Sequence, residues 1–266
     1  MQQAAEQVRQ PAVAGRFYPG QAGELRRMVD ELLAEAEVPD EAPAPRALAL
    51  PHAGYPFSGA AAAQGYARLA PIREQIERVL LLGPSHFVDI PGMALPTARG
   101  LATPLGTVPV SEAMREAALE DPAVMEDDRA HAREHSLEVH LPFLQATLPT
   151  LELLPVAVGR CSPESCGGLI ERFWREDTLV VVSTDLSHFY DDATARRLDT
   201  DTTRAIEAGE IERITPERAC GSAPLKGLMW FAQRHGLRAE TIAQCNSGDV
   251  TGDRSAVVGY GSYVFH

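Results

Sequence analysis

Leu80-Leu81-Leu82-Gly83-Pro84-Ser85-His86 is the stretch on which the reading turns. The apolar run reads as a buried strand, Gly-Pro breaks it, and a histidine follows at once. The same grammar recurs where Ala47-Leu48-Ala49-Leu50 runs into Pro51-His52-Ala53-Gly54-Tyr55, and where Leu179-Val180-Val181-Val182 runs into Ser183-Thr184-Asp185-Leu186-Ser187-His188. A fourth strand, roughly Ala239 to Ala243, ends in Gln244-Cys245-Asn246-Ser247-Gly248-Asp249. In open α/β sheets, ligands and catalytic groups gather beyond the carboxyl ends of the strands. Three histidines and an acid therefore point to one site.

Between these strands the spacing predicts helices. Leu25, Met28, Val29, Leu32 and Leu33 recur at helical intervals, Ser58-Gly59 opens a small-residue helix to Leu69, and Ser162-Pro163 opens another. Asp191 to Gly209 reads as a long polar helix, Ile211 to Gly236 as helix, turn and helix, and Asp121 to Arg129 as a charged loop. A helix is expected from about Ser136, and Ala256 to Phe265 is a closing strand. Strands and helices alternate with short connections, so the expected class is α/β, with a central mostly parallel or mixed sheet flanked by helices. With no long internal repeat and no linker, residues 1–266 read as a single domain.

A net charge of −13, with Arg196-Arg197 as the most basic cluster, argues against a nucleic-acid partner. Met1 to Gln10 is polar and lacks the apolar core of a signal peptide, and no apolar run approaches the ~20 residues of a membrane helix. Cys161, Cys166, Cys220 and Cys245 do not follow a zinc spacing. Reduced thiols in a cytoplasmic protein, away from membranes, are the expectation.

His52 and His86 each follow a strand directly, on rigid backbone, and suit a single metal ion. Asp249 or Cys245 is the candidate third ligand. Two histidines with a carboxylate form the facial triad of non-haem Fe(II) enzymes, whereas a thiolate favours copper, zinc or an electron-rich iron. Fe(II) is the first expectation, with copper or zinc as alternatives. His188, farther past its strand, suits a general acid–base, because its unperturbed pKa is near neutrality. Asp185 would tune a nearby imidazole, and Tyr55 would gate the site or donate a hydrogen bond. His131, His135 and His140 cluster in sequence, but a hydrogen-bonding role for His135 and Glu138 in the pocket fits better than a second metal site. The plainer alternative is a set of loop histidines with satisfied hydrogen bonds, in a cleft that binds without catalysis.

The segments Pro51-His52-Ala53-Gly54-Tyr55 with Ser58-Gly59, Gly83-Pro84-Ser85-His86, Thr103-Pro104-Leu105-Gly106, Glu134-His135-Ser136-Leu137-Glu138 and Ser183-Thr184-Asp185-Leu186-Ser187-His188 resemble, in order, those of the Memo family. Its prokaryotic members are labelled AmmeMemoRadiSam system protein B. Val13 to Pro19 resembles the family's start, and Ala219-Cys220-Gly221 a later motif. The resemblance implies a fold similar to class III (LigB-type) extradiol dioxygenases, which use two histidines and a carboxylate on Fe(II) with a further histidine as acid–base. Carried over, His52 and His86 match the metal histidines, His188 the acid–base and Asp185 the acid of the same segment. Eukaryotic members use a cysteine in the last motif, for which Asp249 is the nearest equivalent here and Cys245 the alternative. The resemblance also implies AMMECR-type and radical-SAM protein partners, and a small-molecule or peptide ligand. The functional expectation is a metal-binding protein with dioxygenase-like oxidoreductase chemistry, against the alternative of a non-catalytic module holding a peptide or partner protein.

Overall fold

The computed structural model describes residues 8–266, so most of the polar start Met1 to Gln10 lies outside the described residues. In chain order the strands are β1 (Val8–Arg9), β2 (Ala47–Leu50), β3 (Arg78–Pro84), β4 (Met93–Leu95), β5 (Gly100–Thr103), β6 (Gly106–Pro109), β7 (Val124–Glu126), β8 (Glu152–Val158), β9 (Thr178–Ser183), β10 (His188–Tyr190), β11 (Ala239–Asn246) and β12 (Val257–Phe265). The helices are α1 (Ala22–Ala34), α2 (Tyr55–Ala67), α3 (Glu112–Leu119), α4 (Asp128–Ala132), α5 (Leu141–Thr147), α6 (Pro163–Phe173), α7 (Asp192–Glu207), α8 (Ser222–His235) and α9 (Ser247–Thr251).

Nine strands form the main sheet in the order β10-β12-β2-β9-β3-β8-β4-β7, with β11 paired to β12 off that path. The central strands β2, β9, β3 and β8 are parallel. β12 runs antiparallel to β2, β11 and β10. The protein is thus a mixed α/β domain around a central mixed sheet. A separate small sheet has the order β1-β5-β6.

The central runs are almost wholly apolar because both sheet faces are covered. Leu48, Leu50, Leu81 and Val181 pack on one face with Leu25, Ala62, Tyr66 and Phe143. Ala49, Leu80, Leu82 and Val182 pack on the other with Leu169, Leu228 and Phe231. Pairing Leu50 with Ser183, and both Leu82 and Ala49 with Val182, brings the carboxyl ends of β2, β9 and β3 level. The segments bearing His52, Asp185 and His86 therefore leave the sheet side by side.

Local departures have local causes. α2 begins at Tyr55 rather than Ser58, because Pro56 is tolerated in a first turn and the Tyr55 N–H donates to Phe17 O at 2.7 Å. Asp121 to Arg129 contains β7 and the start of α4; β7 has three residues, too few for an alternation signal. Glu138–His140 is a 3-10 turn, and α5 begins only at Leu141. Ile211–Arg213 is likewise a 3-10 turn, not a full helix. Asp191 caps α7 by accepting the Thr194 N–H, and Ser162 caps α6 by accepting that of Ser165. Among the described residues no helix is long and apolar enough to cross a membrane.

Candidate metal centre

His52, His86 and Cys220 converge just beyond the level strand ends, with donor atoms all within 4.8 Å of one another. His52 is buried, and its Nε2 lies 3.3 Å from Cys220 Sγ. Donors about 2.0–2.3 Å from a shared ion in tetrahedral geometry stand roughly 3.5 Å apart, so this spacing fits.

The surrounding hydrogen bonds define which ring nitrogen each histidine leaves free. Ser183 Oγ–H donates to Ser136 O at 2.6 Å, so Ser183 Oγ can only accept from His52, whose Nδ1 lies 2.6 Å away. His52 Nδ1 therefore carries the proton, and Nε2 presents a lone pair. His86 Nδ1–H donates to Glu134 Oε1 at 2.9 Å, and the His86 backbone N–H donates to Glu134 Oε2 at 2.6 Å. Glu134 Oε1 also accepts the His135 and Ser136 N–H groups, both at 2.9 Å. Burial pushes Glu134 up, but its hydrogen bonds from the His86 ring and from backbone N–H groups outweigh burial and hold it at about 2. His188 Nδ1–H donates to Leu186 O at 2.8 Å. All three histidines thus keep Nε2 open, the pattern of imidazoles oriented for ligation.

Burial, reinforced by the neighbouring imidazoles, holds His52 well below its ordinary pKa. Burial also lowers His188, which shares the charge environment of His86 and His52. Asp185 Oδ1 accepts the His52 N–H at 2.7 Å, while Oδ2 lies 3.9 Å from His52 Nε2. Burial pushes Asp185 up to about 7 against that hydrogen bond. Cys220 Sγ accepts the Asp185 N–H at 3.2 Å, and burial raises the thiol.

The His86 ring stacks on His135 at 4.8 Å and 14°, and Phe17 also packs on His135 at 4.9 Å. His86, Glu134 and His135 also form a compact donor group, but Glu134 is already filled by four hydrogen bonds. That group orients His86. Phe87 and Phe189, each next to a site histidine, are exposed, and Phe189 adopts a left-handed φ of 63° where β10 slips register against β12.

Asp249 and Cys245 are not part of this donor group. β11 pairs with the far side of β12 and so runs parallel to β2. Asp249 Oδ2 accepts the Asn246 N–H at 3.0 Å in a capping box for α9, and Oδ1 pairs with Arg196 at 2.5 Å. Cys245 is half-buried on β11, and burial pushes its thiol up to about 11. Tyr55 is buried, with its hydroxyl donating to Val139 O at 2.7 Å. Glu138 accepts from Arg9, Ala12 N–H, Val13 N–H and Tyr18 O–H, so it anchors the N-terminal lead-in. Cys220, Ser183 and Glu134 are the site residues that strand-end reasoning did not single out. Cys220 follows no strand, and its one sequence signal is the Ala219-Cys220-Gly221 motif.

Fold and site together describe a mixed α/β protein with a histidine–cysteine donor cluster at its strand ends. The sequence pattern described as Memo-like protein matches residues 9–264. A MEMO1 family protein of Aquifex aeolicus is 36% identical, with 97% of this chain and 99% of that protein aligned. One from Methanopyrus kandleri is 35% identical over 97% of this chain and 98% of its own length. The chain belongs to the Memo family. Among solved structures, the uncharacterized protein JW3007 of Escherichia coli K12 aligns over 81% of this chain and 98% of its own, with 13% identity and a TM-score of 0.49.

Proposed function

We propose that this centre holds a single transition-metal ion through His52 Nε2, His86 Nε2 and the Cys220 thiolate, and serves redox chemistry on a small anionic or chelating substrate. The observation that carries the reading is the convergence of two Nδ1-pinned imidazoles and a thiol on one point. A nitrogen–sulfur donor set suits iron, copper or zinc and disfavours magnesium or calcium. When bound, such an ion would polarise the substrate and make the Cys220 thiolate accessible despite burial.

The chain's own residues do the rest. Ser183 and Glu134 fix the two imidazole planes. His188, lowered by burial, is neutral at pH 7 and offers Nε2 as the base that takes a substrate proton. Asp185, pushed up to about 7, can hold a proton at Oδ2 while Oδ1 keeps the His52 N–H. Phe17 and His135 screen one side of the centre from water.

The test is oxygen uptake with catechols and related chelators by anaerobically purified, metal-analysed protein. A His188→Ala variant that keeps its metal and loses at least 100-fold in turnover supports the acid–base role. Undiminished turnover in that variant refutes it. Stoichiometric protein that takes up no iron, copper or zinc refutes the metal centre itself.

A further inference from the structure

Cys161 and Cys166 take no part in the centre. Ser162 caps α6, so Cys161 precedes the cap and Cys166 is the fourth helical residue. Side chains at those two positions pack on each other at a helix entry. Here both are thiols, and Cys161 packs against the apolar cluster that contains Cys166. Cys161 is half-buried, whereas Cys166 is fully buried in the α6–α8 contact, where a Cβ on Gly227 would come within 2.6 Å of its sulfur.

We propose that Cys161 and Cys166 form a peroxide-reactive dithiol that closes to a reversible disulfide at the start of α6. Cys161 is the attacking sulfur because it is the one solvent reaches. The interaction with Cys166 outweighs burial and lowers the Cys161 thiol, which favours the thiolate. The interaction with the Cys161 side chain, followed by burial and the Cys161 charge, raises Cys166, as suits a resolving thiol.

The reaction balances with a hydroperoxide as oxidant. The Cys161 thiolate attacks the terminal oxygen, the O–O bond breaks, and a sulfenic acid forms as the alcohol or water leaves with a proton. The Cys166 sulfur then attacks the Cys161 sulfur, the S–O bond breaks, and water leaves with the Cys166 proton. Two thiols lose two electrons and the peroxide gains two. A dithiol reductant reverses the product.

The pair also sits at the base of the loop that carries His86. Arg160, the residue before Cys161, donates its N–H to Ile90 O at 2.9 Å and accepts the Gly92 N–H at 2.9 Å. Closure would therefore staple α6 to a strand end shared with that loop.

The test uses the full chain with a few-fold excess of hydrogen peroxide, followed by denaturation, iodoacetamide and trypsin. Cleavage after Arg160 and Arg172 leaves both cysteines in one peptide, Cys161 to Arg172. The expected product is that peptide two hydrogens lighter and carrying no alkyl group, formed before any oxidation at Cys245 and restored by dithiothreitol. Cys161→Ser, at a half-exposed position, should leave Cys166 fully alkylated after the same treatment. Cys166→Ala should trap dimedone at Cys161. A doubly alkylated peptide from oxidised wild-type protein overturns the proposal. So does persistent Cys161 sulfenic acid in the wild type, or oxidation of Cys166 in the Cys161→Ser variant.

Discussion

Replacing Glu138 with Gln should destabilise the fold more than any substitution at the metal centre. The carboxylate is fully buried, and its two oxygens receive four donors. Oε2 takes the Arg9 guanidinium and the Ala12 N–H at 2.7 Å; Oε1 takes the Val13 N–H at 2.9 Å and the Tyr18 hydroxyl at 2.6 Å. A glutamine must turn its NH2 toward one of these pairs, setting donor against donor. It also leaves Arg9, whose side chain is only 9% exposed, without its counter-charge. Breaking a buried pair from one side costs about 3–5 kcal/mol. With a urea slope of roughly 2–3 kcal/mol per molar, the unfolding midpoint should fall by about 1–2.5 M. Arg9→Met with Glu138→Leu should cost less than the two single changes added together, because no orphan charge remains. A Glu138→Gln midpoint within about 0.3 M of wild type would refute this assignment.

Further consequences concern pH and the site's supports. Burial lowers His131 to about 4 and His140 to about 3, against an unfolded value near 6.5. Stability from these two groups is therefore complete above pH ~6.5 and lost as pH falls. The loss is about 3 kcal/mol between pH 6.5 and 5 for the two together. Denaturant titrations at pH 7 and pH 5 should show it, and a flat profile over that range would contradict it. Ser183→Ala removes the acceptor that sets the His52 tautomer and should weaken metal binding by about 10–100-fold in competition with a chelator, with the fold retained. Equal affinity would remove Ser183 from the account. In Gly221→Ala the added methyl would overlap Ser183 O and Thr184, displacing Cys220, so bound metal should drop together with thermal stability. A variant with full metal and an unchanged melting point would contradict that packing.

The strand-to-histidine grammar made the architecture legible because a strand buried on both faces leaves an unbroken apolar run in the sequence. The end of that run marks where the chain meets the site, so His52, His86, Asp185 and His188 could be placed from local pattern. The role of Asp249 could not. It follows one more strand that runs parallel to β2, but its carboxylate is taken up by a helix cap and by an arginine 53 residues away, which no local window encodes. Asp249 consequently serves α9 and Arg196. Cys220 reaches His52 from an irregular segment held against Ser183 and Thr184 by the close approach of Gly221. Contacts of that kind are made in space by residues 35 or more apart, so periodicity is silent about them.

Metal analysis of three variants beside the wild type tests the central claim most directly. Cys220→Ser, Cys245→Ser and Asp249→Asn would be purified without oxygen and assayed for iron, copper and zinc by elemental analysis. A centre made by His52, His86 and Cys220 predicts near-stoichiometric metal in the wild type, Cys245→Ser and Asp249→Asn, and its loss in Cys220→Ser alone. Retention in Cys220→Ser with loss in Asp249→Asn or Cys245→Ser would contradict it.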